Sequence, residues 1–214
     1  MLNLNKDKFE IKIEESPFYN GEITHKDDST IHIFIKKMSH PEYENYNLPF
    51  LAFQHLTEDN ISSFLDNLLD GVPEELKKRF DENKEFISKF FLAFPIIFID
   101  EKSFLKLKKH DRFTMCILYH ELGHYMHSDE TYDDKNEERE SILETGRVSK
   151  KELDADEFAY SVFGLDFYDA LVDSMNRCIN VTENISTDVT YLVPAIELRK
   201  RVDHLVEIIE NEQK

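Results

Sequence analysis

Glycine and proline are scarce in this chain, with 5 Gly and 6 Pro among 214 residues, and tryptophan is absent. Neither GxGxxG nor GxxxxGK[ST] occurs, so the Gly-rich phosphate cradles of nucleotide-binding proteins are excluded and long helices are favoured. The two cysteines, Cys116 and Cys178, are too few for a disulfide framework or a CxxC-type zinc site, which suits a reducing compartment. The opening segment MLNLNKDKFEIKIEES mixes charge with apolar residues and lacks the uninterrupted apolar stretch of a secretion signal. The longest apolar run, Phe90 to Ile99, is broken by Pro95 and reaches about half the length of a membrane-spanning helix. Basic residues are also short: 26 Lys+Arg stand against 44 Asp+Glu, a formal charge of -18. Binding to nucleic acid or to an anionic membrane needs clustered Lys and Arg, so neither partner is expected. The expectation is a soluble, cytoplasmic chain.

What the sequence does contain is apolar mass, 41% hydrophobic residues with 17 Phe and 9 Tyr, far more than a disordered acidic chain carries. Residues 8–15 and 30–37 alternate apolar with polar, the period of half-buried strands. Residues 38–49, with Pro41 and Pro49, read as a surface connection. A helix is expected from Thr57 as N-cap to Gly71, and another from Pro73 to Pro95. PIIFID, residues 95–100, is short and β-branched and reads as a buried strand. Helices follow over 111–128, from Ser149 to Gly164, from Asp166 to Cys178 and from Pro194 to Ile209, with a charged connection over 129–147. With no repeat and no low-complexity linker, residues 1–214 are expected to form one α+β domain, mostly helical with a small N-terminal mixed sheet. Its first 94 residues have no evident role, and the chemistry lies in 95–214.

That chemistry begins at His120-Glu121-Leu122-Gly123-His124, an HExxH. With 9 His and 25 Glu in the chain, about 0.04 such matches are expected by chance, so the motif carries weight. Histidines four residues apart stand one turn apart on the same helix face, so both imidazoles reach one Zn²⁺ at the ~2.0–2.1 Å of a Zn–N bond. Glu121 is turned more than a quarter-turn away from His120, out of ligand position but within reach of a water at the metal, as general base.

Zinc catalysis wants a third protein ligand and an open position. Residues 129–157 hold 12 acidic and 5 basic side chains, so an acidic residue there is not distinctive by itself. Glu152 and Asp156 stand out because their i, i+4 spacing inside a helix sets both carboxylates on one face. Glu152 could complete the ligand set, with Asp156 fixing the tautomer of a ligand histidine. A second reading stands beside it: Ser149 and Glu152 also form a capping box, in which Glu152 serves only the helix start. Asp154, Glu157 and Glu130 are further candidates for the third ligand.

HELGHYMHSDE followed by ELDADEFAYSVFG resembles the gluzincin metallopeptidases, and ELDADEFA is similar to the Glu-x-x-Ala-Asp helix of HtpX-type and CaaX-prenyl-protease-type enzymes. The 28 positions from His124 to Glu152 are closer to soluble minimal gluzincins and ImmA/IrrE-like regulatory peptidases. The resemblance spans roughly residues 95–204. It implies a zincin-like fold, one Zn²⁺ per chain held by His120, His124 and Glu152, Glu121 as general base, Asp156 behind the ligands, and a peptide or protein substrate. Downstream, Pro194 and Arg199 keep the offset found in those enzymes, but Val193 stands where they have His. The group that would stabilise an oxyanion is therefore open among His204, Tyr191, Arg199 and Arg147.

The remaining candidates have plainer roles. His127 is expected as a cation favoured by the C-terminal dipole of its helix, Cys116 as a small core residue, and the Phe-rich stretch 80–98 as core. Three functions are thus carried forward: a general zinc metallopeptidase, an ImmA/IrrE-like peptidase that cuts one specific partner, and a non-enzymatic acidic interaction protein whose histidines are incidental.

Overall fold

Short β-branched segments build a five-stranded sheet in the computed structural model, which describes residues 9–12, 21–25, 29–35, 48–69, 73–127, 142, 145–184 and 189–213. The strands are β1 (Phe9–Lys12), β2 (Gly21–His25), β3 (Thr30–Ile35), β4 (Leu51–Gln54) and β5 (Ile96–Ile99), in the spatial order β1-β2-β3-β5-β4. Neighbours run antiparallel except β3 and β5, which are parallel and joined by a long crossover, as parallel strands require. Helices α1 (Ile61–Leu68), α2 (Glu74–Glu82) and α3 (Lys84–Ala93) belong to that crossover. After β5 come α4 (Glu101–Lys108), α5 (Arg112–Met126), α6 (Lys150–Phe163), α7 (Leu165–Asn184) and α8 (Val189–Glu212).

Side-chain alternation sends the sheet's residues to two cores. Ile31, Ile33, Ile97, Ile99, Leu51 and Phe53 pack with residues of α4 to α8, including Leu118, Leu122, Phe167 and Leu205. Ile96 and Phe98 turn to the other face and pack with Leu56, Phe64, Leu65 and Phe91. The first hundred residues and the C-terminal helices therefore share the first core, while the Phe-rich stretch serves the second only in part: Phe91 and Phe98 are buried there, Phe80 and Phe90 pack against it, and Phe86 is exposed. The chain is mixed α+β, mostly helical, with a small N-terminal mixed sheet. Among the described residues no helix is long and apolar enough to cross a membrane.

Several elements differ from the sequence reading. The helix expected from Pro73 to Pro95 is two helices, because Asn83 leaves helical geometry (φ -119°, ψ 10°) and its side-chain amide donates to Arg79 C=O at 2.8 Å. Thr57 forms a turn, and α1 begins four residues later at Ile61; Gly71 lies outside the described residues. Strands β2 and β4 and helix α4 were not anticipated. Helix α4 starts where the Asp100 carboxylate accepts from the Lys102 and Ser103 N–H groups, an N-cap that also closes β5. Helix α7 continues past Cys178 because Val181 is buried against Ala195 of α8. Helix α8 starts at Val189 and carries Pro194 inside it, held there by the burial of Val193 and Ala195. The connection over 129–147 lies largely outside the described residues.

Candidate metal centre

Two helix starts fix where the motifs stand. The Asp111 carboxylate accepts from Thr114 N–H at 3.0 Å and opens α5, and Ser149 Oγ accepts from Glu152 N–H at 3.4 Å and opens α6. The two helices meet where Gly123 faces Ala155, so tightly that a Cβ on Gly123 would lie 2.7 Å from Ala155 Cα and 2.9 Å from its carbonyl oxygen. The glycine of the HExxH is there for backbone approach, and that approach brings α6 alongside the two histidines.

His120 and His124, each 6% exposed, present rings whose centroids are 4.9 Å apart. Glu152 Oε2 lies 3.1 Å from His120 Nε2, and its Oε1 lies 3.4 Å from His124 Nε2. One ligand atom from each of the three residues falls within 4.8 Å of the others. A tetrahedron built on bonds of ~2.0–2.1 Å has edges of about 3.3–3.4 Å, so the two carboxylate–imidazole separations fit a small dication. Two imidazoles and one carboxylate are also a donor set that zinc favours. Of the capping box only half is formed: Ser149 caps through the Glu152 N–H, while the Glu152 carboxylate goes to the histidines.

Asp156 is fully buried, and its Oδ1 stands 2.9 Å from His120 Nδ1. This contact leaves His120 Nε2 turned towards Glu152. Glu121 faces the same pocket, where its Oε2 accepts from the backbone N–H of Phe53 at 2.7 Å. Phe53 lies on the edge strand β4. Because Asp100 N–H donates to Phe50 C=O, the even residues of β4 bond β5 and the odd ones, Leu51 and Phe53, point their backbone groups away from it.

Charge in this centre is balanced by a residue the sequence reading missed. Arg201, 8% exposed, donates through Nε and Nη2 to Asp156 at 2.7 and 2.6 Å, and its Nη1 forms an ion pair with Glu152 Oε2 at 2.9 Å. Its signal was available: Leu198, Val202 and Leu205 form an apolar stripe on α8, and Arg201 is the cation inside it. Arg199 is off that stripe, exposed and paired with Asp203 within its own helix at 3.3 Å. His204 contacts Glu157 at 2.8 Å, Arg147 is exposed, and none of the three lines the pocket. The side chain of Tyr191 lies outside the described residues, as does Glu130. Asp154 faces Lys150, and neither it nor Glu157 belongs to the metal group. His127 is exposed at the end of α5, and Cys116 is buried with its thiol pushed up to about 12 by burial, as a core residue should be.

The ionisation of these side chains follows from their contacts. Burial and the Arg201 cation push His120 down, but Glu152 and Asp156 outweigh them and raise its pKa to about 10. His124 moves in the same direction, with burial opposed by Glu152. Burial raises Glu152, and Arg201 and His120 together hold it well below the ordinary carboxylate range. A raised histidine pKa means that the proton is held through neutrality and lost only as pH rises towards 10. A metal must displace it. Adding zinc to metal-free protein in weak buffer at pH 7 is therefore expected to release about one to two protons per ion, followed by pH-stat, with the yield falling as pH approaches 10. Uptake without acidification would contradict the charge state described.

The centre opens into a cavity of about 270 Å³ bordered by β4 on one side and by Leu171 and Leu198 on the other. No protein-family model, no curated protein and no solved structure matches this chain. Fold and site define a mixed α+β chain with a His-His-Glu cluster whose two histidines are buried, a neighbouring glutamate and an adjacent sheet edge.

Proposed function

We propose that this protein is a zinc-dependent metallopeptidase of zincin-like fold. The observation that carries the reading is the convergence of His120, His124 and Glu152 in one ligand-sized cluster with Glu121 beside it, on a pocket bordered by the outward edge of β4. An acidic interaction protein with incidental histidines has no need of such a buried arrangement.

Zinc bound by these three residues would supply an acidified water and a Lewis acid for the peptide carbonyl. The rest is done by the chain. An extended peptide pairs with the outward N–H and C=O groups of Leu51 and the outward C=O of Phe53, whose N–H is held by Glu121, and so lies across the histidines. Leu48, Ile117, Leu171 and Leu198 give its side chain an apolar wall. Glu121, steadied through Oε2 by Phe53 N–H, uses Oε1 to take a proton from the attacking water and return it to the leaving amine nitrogen. Asp156 keeps His120 Nδ1 occupied, so that Nε2 remains the ligand atom.

Metal analysis tests the reading directly. Wild type exposed to zinc and freed of excess is expected to hold one ion per chain, and Glu152→Ala to hold far less while its helix, still capped by Ser149, remains folded by circular dichroism. Wild type without metal overturns the proposal; full occupancy in Glu152→Ala removes Glu152 from the ligand set.

A further inference from the structure

Arg201 lines the pocket, yet its guanidinium is already committed. Nε and Nη2 bind Asp156, Nη1 binds Glu152 Oε2 and lies 3.4 Å from Glu197 Oε1, and Nη2 also stands 3.2 and 3.3 Å from the two ring nitrogens of His120. A guanidinium has five N–H donors and can accept nothing: three are turned to the Asp156 and Glu152 carboxylates, Nη1 also lies near Glu197, and Nη2 lies against the His120 ring, so the group is enclosed by the centre's own residues. Arg201 therefore acts through its neighbours.

The neighbour that matters is Glu152. Its Oε2 lies 3.1 Å from His120 Nε2 but also 2.9 Å from Arg201 Nη1, which competes with an ion for that oxygen, whereas its Oε1 is turned to His124 Nε2 at 3.4 Å. A carboxylate free to turn can give a metal both oxygens. With two histidines that would fill the position a water needs, whereas one oxygen leaves it open. The bidentate pair with Asp156 keeps the guanidinium from following Glu152 if that side chain rotates. We propose that Arg201 is a positioning residue that restricts Glu152 to one-oxygen ligation and so preserves the open coordination position; this rests on the zinc-centre reading above.

Cobalt(II) in place of zinc makes coordination number visible, because four-coordinate cobalt absorbs strongly in the visible and five-coordinate cobalt weakly. Wild type is expected to bind one Co²⁺ per chain with the strong four-coordinate spectrum. Arg201→Met, similar in length and unable to hold Oε2, is expected to bind one Co²⁺ and lose most of the visible intensity, with peptide hydrolysis down about 10- to 100-fold. Arg201→Lys provides a fallback should the Met variant not fold: one ammonium cannot serve both carboxylates, and with Asp156 the more deeply buried claimant the same loss of intensity is expected. A five-coordinate wild type, or a wild-type spectrum in either variant, overturns the assignment. A wild type that binds neither cobalt nor zinc overturns the metallopeptidase reading itself.

Discussion

Glu121→Gln is expected to keep one zinc per chain and to lose about 10²- to 10⁴-fold in peptide hydrolysis, the range in which a positioned proton-transfer group contributes. The substitution is close to isosteric. Its amide oxygen can still accept from Phe53 N–H, the contact that Glu121 Oε2 makes at 2.7 Å, so the side chain keeps its place beside β4. What the amide cannot do is take a proton from water. Metal content and hydrolysis should separate in this variant, whereas in Glu152→Ala they should fall together. Hydrolysis at the wild-type rate with Gln at 121 would remove the base from the mechanism. Zinc lost along with activity would mean that Glu121 helps to hold the ion.

The second large effect belongs to a residue with no chemistry of its own. Gly123→Ala puts a methyl carbon 2.7 Å from Ala155 Cα and 2.9 Å from Ala155 O, distances that real Cβ atoms do not show. Both atoms are backbone, so α5 and α6 must separate. The expected destabilisation is about 1–3 kcal/mol or more, the usual range for overpacking a filled interior. In a chain of this length each kcal/mol lowers Tm by about 2–4 °C. The same separation draws Glu152 from the histidines, so zinc affinity should fall with Tm. Ala155→Gly should not rescue the variant, because it removes a Cβ and leaves the two closest backbone atoms in place. Restoration of Tm and zinc by the double substitution would show that side-chain crowding sets the spacing.

Gly123 also shows where sequence reasoning was strong and where it stopped. HExxH read on a helix gives the shared face of His120 and His124 because that relation is local, fixed by 3.6 residues per turn. The face shared by Glu152 and Asp156 is local for the same reason. Asp111 and Ser149 open their helices through capping contacts three residues long, which composition and position suffice to suggest. PIIFID was recognisable as a buried strand because Ile96 to Ile99 face two cores and all are apolar.

The features that failed to show are short or distant. LAFQ has four residues, too few for a period to be read, yet it is the strand that holds Glu121 and borders the pocket. GEITH carries a single large apolar residue, Ile23, and becomes a strand only because β1 and β3 pair with it on either side. Asn83 divides a pattern that is helical on both sides of it, through a side-chain bond that competes with the backbone ladder. Arg201 is 45 positions from Asp156 and 81 from His120, and an offset taken from the enzymes that the motifs resemble pointed instead to Arg199. Two residues along a helix reverse the outcome: Arg199 faces solvent, and Arg201 faces the centre.

By itself the sequence determined the donors: which residues could bind a metal, which carboxylate could move a proton, and on which helices they stand. The tertiary structure alone decided that Glu152 turns to the histidines instead of completing a cap, that β4 borders them with its odd-numbered backbone groups outward, and that Arg201 supplies the balancing charge. The physical reason is the range of the interactions. Helix faces and caps are set within a turn or two, whereas charge balance in a buried site depends on which distant elements the core packs against it.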